Sequence, residues 1–294
     1  MSNPIAKLFS RKKDDEKSGD AKTGVRMQRN EKLVASMQLE GHQIFSSEKI
    51  SLGGLIGTGG FAKVYHCNVD GIDGPAVCKA INAEKIDDEA AYLLTNECTI
   101  WAKLAHPNIV NFYGLSWTST TILLLCEFMP EGSLLEAHEQ YRKQQKPMPH
   151  EADLIAQLTQ VSSGMAYLHA MEPPILHRDL KSANILLSSG HDRLAIADFG
   201  LARFQETHKK MTAETGSYRW MAPEVIRHEM YDWRCDVYSY AVLAWEMLTF
   251  RCAAALRALP AAPPCSGTAP PPRPLSPADF SRAARACAGC PSTT

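Results

Sequence analysis

The chain has 294 residues, 45% of them hydrophobic, and its 31 Lys and Arg against 32 Asp and Glu leave a formal net charge of -1. That is enough chain for one large domain or two modest ones with a sizeable core. The even charge balance excludes an overall bias toward nucleic acid or an anionic membrane surface. No apolar run reaches the roughly 18 residues of a membrane span. The opening MSNPIAKLFSRKKDDEKSGD has too short an apolar patch for a signal peptide, and Ser2 excludes an N-myristoyl glycine. A soluble, cytoplasmic protein is expected.

Residues 1–48 mix charges with Ser, Gly and Lys and read as a flexible lead-in, apart from a short helical pattern in NEKLVASMQLE. Order is expected to begin near Lys49. From there to Ile81 the segments KISLGGLIG, FAKVYHCNV and PAVCKAI alternate apolar and polar residues between glycines and predict short antiparallel strands. DEAAYLLTNECTIWAKL has helical spacing, and NIVNFYGLSW and TILLLCEFM predict two further strands before the turn at Pro130 to Gly132. Beyond Asp153, Leu154, Leu158, Val161, Met165 and Leu168 recur at intervals of three and four and predict a long amphipathic helix. The first half is thus mostly sheet and the second mostly helix. Cys67, Cys78, Cys98, Cys126 and Cys235 are scattered as reduced core residues are, and the isolated pair Cys287 and Cys290 lacks the partners of a zinc site.

Several motifs carry chemistry. IGTGGFAKV puts Gly57 and Gly59 in a turn between two strands, where backbone N–H groups can approach a phosphate; an ordinary glycine hairpin fits the same residues. No Gly-Lys-Ser/Thr follows, which excludes a P-loop, and the next element is a strand, which excludes a Rossmann unit. Lys79 ends the third strand and Glu97 lies on the following helix, a pairing that holds an ammonium against a polyphosphate or merely decorates a surface. HRDLKSANILL then places Asp179, Lys181 and Asn184 on one loop: a carboxylate base, a cation and a carboxamide metal ligand. ADFGLA adds Asp198, a hard oxygen ligand suited to Mg2+, and GSYRWMAPEV follows.

In this order the motifs resemble those of the eukaryotic protein kinases, from about Lys49 to Phe250. The resemblance implies an α+β, bilobal fold: an N-lobe of about 49–129 with an antiparallel sheet and one helix, and a mainly helical C-lobe of about 130–250. It implies that Ile56, Gly57, Gly59 and Val64 form a lid over ATP, that Lys79 holds the α and β phosphates, and that Glu97 is its helix partner. By the same resemblance Val77 would roof the adenine pocket, Leu186 would floor it, Glu127 and Met129 would belong to the hinge, and Cys126 would limit the back pocket. Asp179 would accept the proton of a substrate hydroxyl, Lys181 would neutralise charge on the transferring group, and Asn184 and Asp198 would hold Mg2+.

Lys181 and Ser217 match the serine/threonine form of the family, whereas GSYRWMAPEV and CDVYSYAVLAWEMLT resemble the tyrosine-kinase-like group that includes the Raf and mixed-lineage kinases. The implied partner is a protein Ser or Thr hydroxyl, with no nucleic acid. A second kinase acting within 198–224, at Thr207, Thr212 or Thr215, would let a phosphate pair with Arg178. Trp101, Phe112, His177 and Phe199 match the family's stacked spine, and Asp236 matches the acid that anchors the catalytic loop. Two departures stand out: Ala62 replaces the lid's third glycine, and Val77 stands where alanine is usual.

After Phe250 the chain changes character. Residues 251–294 hold twelve Ala, nine Pro and five Arg with no Lys and no Glu, and nothing in them resembles the remaining C-lobe helices. The expectation is an incomplete C-lobe followed by a disordered tail, either a real alternative end or GC-rich sequence read through a splice or frame error. PPPRPLSP also fits a polyproline ligand. The helix from Trp233 to Leu248 is then expected to expose apolar surface, and Glu224 to be a buried carboxylate lacking its arginine. Two function classes follow: an ATP- and Mg2+-dependent serine/threonine kinase, or a catalytically inactive nucleotide-binding or scaffold fragment.

Overall fold

The structure is a computed structural model that describes residues 27–28, 30–31, 33–35, 43–58, 62–145, 149–204 and 218–249. The chain divides into two compact units. One comprises the described residues up to Leu104 with Asn111–Phe128, and the other comprises Ala105–Val110 with the described residues from Met129 onward.

The sheet unit is built from β1 (Gln43–Ile44), β2 (Ile50–Thr58), β3 (Ala62–Val69), β4 (Ala76–Asn82), β5 (Phe112–Trp117) and β6 (Thr121–Glu127), in the order β1-β5-β6-β4-β3-β2. Cys67 and Val69 on β3 and Ala76, Cys78 and Ala80 on β4 recur every second residue, so their side chains share one face. With Phe45, Ile50, Leu52, Tyr65, Leu123 and Leu125 they form a buried cluster. β6, near the middle of the sheet, is buried along nearly its whole length. The β2–β3 ladder slips at Leu52/Leu55 and again at Leu55/Gly57, and such irregularities bend a strand where it enters a turn. The helix α1 (Asp88–Trp101) follows β4. It starts where the Asp87 carboxylate accepts the Ala90 N–H at 2.8 Å, with Asp88 and Glu89 in a first turn that favours negative charge.

One expectation is corrected in this unit. Order precedes Lys49: the described residues of 27–35 are helical, Val34 and Phe45 are buried, and the Asn30 amide donates to the Thr118 carbonyl at 2.8 Å. β2 to β6 form the antiparallel sheet expected of this unit, and β1 joins its edge by pairing with β5 in parallel, Ile44 opposite Leu115. A two-residue strand has too few positions to show a period.

The helical unit contains α2 (Leu134–Lys143), α3 (Glu151–His169), β7 (Ile175–Leu176), β8 (Ile185–Leu187), β9 (Leu194–Ile196), β10 (Arg203–Phe204), α4 (Pro223–Ile226) and α5 (Arg234–Thr249). α2 begins with a capping box: Ser133 Oγ accepts the Glu136 N–H, and Glu136 Oε2 accepts the Ser133 N–H. α3 buries Leu154, Leu158, Val161, Met165 and Leu168, the face its periodicity predicts. β8 and β9 form an antiparallel hairpin, and β7 pairs antiparallel with the distant β10.

α5 departs from expectation. Val242, Leu243, Ala244 and Met247 are buried, and the Tyr240 hydroxyl donates to the Leu158 carbonyl at 3.0 Å. Glu224, on α4, is half-buried rather than enclosed. Neither the exposed apolar face nor the buried carboxylate is found. Phe250 and the tail 251–294 lie outside the described residues, as do Gly59, Cys287, Cys290, Thr207, Thr212, Thr215 and Ser217.

Candidate active site

In the sheet unit the β2–β3 ladder sets Gly57 opposite Val64, and the β3–β4 ladder sets Val64 opposite Lys79. A Cβ on Gly57 would meet nothing within 4 Å, so core packing does not require a glycine there. What the missing side chain leaves is open access to the backbone, which suits the approach of a phosphate. Ile56 beside it is 46% exposed, too exposed for a core position.

Lys79 and Glu97 form the expected pair, Nζ to Oε1 at 3.0 Å, with side chains 31% and 8% exposed. α1 buries Glu97 and β4 projects Lys79 toward it, so the ammonium is oriented yet still reachable by an anion. Val77 is half-buried and faces Cys126 across the β4–β6 ladder. Burial pushes the Cys126 thiol up to about 12, which makes it an inert apolar wall at neutral pH. Glu127 is tied to Asn111 in both directions: its carboxylate accepts the Asn111 N–H at 3.2 Å, and its own N–H donates to the Asn111 carbonyl at 3.0 Å. Trp101 and Phe112 pack with ring centroids 5.1 Å apart.

In the helical unit Asp236, fully buried at the start of α5, organises the loop that bears Asp179. Its carboxylate accepts the backbone N–H of His177 at 2.9 Å and of Arg178 at 2.8 Å, and contacts His169 Nε2 at 3.0 Å. Burial alone would raise its pKa. The His169 hydrogen bond, the neighbouring His169 and His177, and the Arg178 N–H outweigh burial and hold it below the usual carboxylate value. Arg178 has a left-handed backbone (φ 68°), a conformation that the hydrogen bond to Asp236 secures. His177 is fully buried: Nδ1 accepts the Asp179 N–H at 3.3 Å, Nε2 lies 3.2 Å from the Ala197 carbonyl, and the ring packs edge-on against Phe199. The ring is held both by packing and by these polar contacts.

Asp179 is thereby presented with its two oxygens in different surroundings. Oδ2 receives Lys181 Nζ at 2.6 Å and Asn184 Nδ2 at 2.9 Å. Oδ1 is buried and has no hydrogen-bond partner among the described residues. A buried carboxylate oxygen left over in this way is an acceptor awaiting a donor. Asn184 Nδ2 also donates to the Asp179 carbonyl at 2.8 Å, which leaves the amide oxygen as its acceptor end.

The β8–β9 hairpin brings the two proposed metal ligands together. Asn184 directly precedes β8, Asp198 follows β9 by two residues, Ile185 pairs with Ile196, and the Ala197 N–H donates to the Asn184 carbonyl at 2.9 Å. Asp198 is exposed, with φ 66°. One carboxylate and one amide oxygen at the same hairpin end fit Mg2+, which takes few protein ligands and fills its shell with water and phosphate oxygens. Leu186 is half-buried on β8 and bridges to Ser133, and Met129 is buried.

Sequence reasoning missed three contributors. His169 is the third partner of Asp236. Trp220 Nε1 donates to the buried Glu246 carboxylate at 2.9 Å and Ser239 donates to the Trp220 carbonyl at 2.7 Å, which pins the segment before α4 onto α5. Arg193 gathers carbonyls of the segment 105–110. A histidine ending a helix and a tryptophan beside MAPE were visible signals; Arg193 left none.

Comparison with known proteins agrees with this geometry. A family model described as the protein kinase domain matches residues 50–255. The serine/threonine-protein kinase STY17 of Arabidopsis thaliana is 42% identical over 171 residues, covering 58% of this chain and 29% of the relative. STY46 of the same plant is 33% identical over 249 residues, 84% of this chain and 40% of the relative. Mitogen-activated protein kinase kinase kinase 10 of Mus musculus is 35% identical over 224 residues, 74% of this chain and 23% of the relative. The chain therefore spans well under half the length of these curated relatives. Its motifs, its two units and the residues matched place the chain in the protein kinase domain family, with relatives of the tyrosine-kinase-like serine/threonine type.

Proposed function

We propose that this chain is a protein serine/threonine kinase that transfers the γ-phosphoryl group of ATP to Ser and Thr hydroxyls of proteins. The observation that carries the reading is the asymmetry of Asp179, one oxygen held by Lys181 and Asn184 and the other buried without a partner. A carboxylate so held accepts a hydroxyl proton at Oδ1, while Lys181 supplies positive charge beside the same group. Lys79, oriented by Glu97, serves the nucleotide phosphates. Asn184 and Asp198 serve Mg2+, which supplies charge neutralisation to the polyphosphate when bound. Serine and threonine are favoured over tyrosine because Lys181 stands two residues after the base and because the matched relatives carry that name.

The same reading places the protein in the cytoplasm. It also assigns Arg178, directly before the base, to a phosphate on Thr212 or its neighbours; those threonines lie outside the described residues. No helix among the described residues is long and apolar enough to cross a membrane.

The test is phosphate incorporation from labelled ATP into generic Ser/Thr and Tyr peptides. Asp179→Asn should lower kcat by about 10^2–10^4-fold, the usual contribution of a general base, with ATP binding retained. Incorporation into Tyr peptides alone would overturn the specificity. ATP binding without any transfer would instead identify a nucleotide-binding scaffold.

A further inference from the structure

β9 is flanked on both sides by backbone inside the helical unit. On one side it pairs with β8. On the other, the Ile196 N–H donates to the Asn108 carbonyl at 2.9 Å and the Val110 N–H to the Ile196 carbonyl at 3.0 Å, so residues 108–110 run alongside it through a single parallel bridge at Ile109. Every residue of β9 is fully buried, and Asp198 follows two positions later in a left-handed conformation. Such a backbone persists only where its flanks hold it. β8 supplies one flank and residues 108–110 supply the other.

Two features lock that outer segment. Arg193, directly before β9, turns its guanidinium back across it: Nε donates to the Pro107 carbonyl, Nη2 to the Ile109 carbonyl at 3.4 Å, and Nη1 meets the Met129 sulfur at 3.8 Å. A planar guanidinium spreads five donors over a fixed fork and so reaches separated carbonyls at once, whereas an ammonium carries its three donors on a single nitrogen. Gly164 on α3 is the second. A Cβ there would lie 2.9 Å from the Asn108 carbonyl oxygen and 2.8 Å from Ile196 Cδ1, so this helical glycine admits the segment and β9 together. The Asn108 amide then closes the arrangement by donating to the Leu194 carbonyl at 2.9 Å and to Gln160 Oε1 at 3.0 Å.

We propose that Arg193, with Gly164, positions the metal ligand Asp198 by clamping residues 107–109 onto β9, and so sets the metal affinity of the site. This rests on reading Asn184 and Asp198 as the Mg2+ ligands. Arg193 touches neither metal nor substrate; it acts through the strand that ends at Asp198.

The test uses the full chain and the variants Arg193→Met, Arg193→Lys and Gly164→Ala, with Asp198→Asn as the reference. Mn2+ binding in the presence of ADP is titrated by electron paramagnetic resonance, and the Mg2+ concentration for half-maximal transfer is measured alongside. Displacing groups that orient a metal ligand typically costs 10–100-fold in affinity. Arg193→Met and Gly164→Ala should therefore weaken Mn2+ binding about 10-fold and raise half-saturating Mg2+ by a similar factor, with kcat at saturating Mg2+ kept within about two-fold; Arg193→Lys should fall between Met and the native residue. If Asp198→Asn abolishes metal binding while the Arg193 and Gly164 variants bind Mn2+ as the native chain does, the clamp is structural and the proposal is overturned, even where thermal stability has dropped. If Asp198→Asn itself leaves Mn2+ binding unchanged, the ligand reading fails and the proposal with it. Should Gly164→Ala not fold, the Arg193 pair alone decides.

Discussion

The two units hold their candidate functional residues by different means. In the sheet unit Lys79 meets Glu97 in an ion pair at 3.0 Å and remains about one third exposed. In the helical unit Asp179 is gripped at 2.6 and 2.9 Å by neighbours on its own loop, and that loop hangs from Asp236, which is fully buried. A partly exposed ion pair adds little to folding, about 0–1 kcal/mol, because water and salt screen it. A buried carboxylate with several donors is different, since removing part of it leaves those donors stranded. Loss of the sheet unit's pair should therefore show in catalysis, and loss of the helical unit's anchor in folding as well.

Replacing Asp236 should have the largest effect. Asp236→Asn substitutes a donor for one of the two acceptor oxygens facing His169, His177 and Arg178, at a cost of about 3 kcal/mol. Urea unfolding should show the loss, and transfer activity should fall with it. The pH dependence follows from the depressed pKa. Asp236 stays ionised in the fold at pH values where the unfolded chain takes up a proton. Its contribution is complete above the ordinary carboxylate pKa and is lost as pH falls through the lower folded value. Native stability should thus decline in that acid window, and Asp236→Asn should flatten the decline. An unchanged acid slope would break the contrast between the units.

Next in size is Glu97→Gln. With the carboxylate gone, Lys79 loses its charged partner, and kcat/KM for ATP should fall about 10–100-fold, the scale of 1.4–3 kcal/mol in transition-state terms. The melting temperature should move little, given the exposure of Lys79. A large drop in stability with modest kinetic change would reverse the assignment of the two units.

The smallest effect concerns Cys126, whose thiol is buried and held near pKa 12. At pH 7.5 its thiolate is scarce, so iodoacetamide should leave it unmodified in the native protein and modify it after unfolding. Mass spectrometry of digested, pulse-labelled protein measures this directly. Rapid native labelling would mean that β6 opens near its C-terminal end.

Much of this was legible before any coordinates. α3 could be read from its apolar spacing, and the order of the glycine turn, Lys79, Glu97, Asp179, Asn184 and Asp198 identified the family. α2 went unread although Ser133 and Glu136 spell a capping box, because its apolar face is short and most of its residues are polar. β1 was too brief for a period. The pinning of Trp220 by Glu246 joins residues 26 positions apart, a separation at which no local pattern operates.

What the sequence determined by itself was the local vocabulary: strand alternation, helix periodicity, caps, and which residue types stand where chemistry needs them. These rest on side-chain direction and backbone preference, and both act over a few residues. Only the tertiary structure decided that one oxygen of Asp179 is occupied and the other is not, that Asp236 gathers three donors, and that Arg193 and Gly164 hold the strand before Asp198. Those outcomes depend on which distant groups share a buried space, where an unmet donor or a single added carbon is too costly to leave in place.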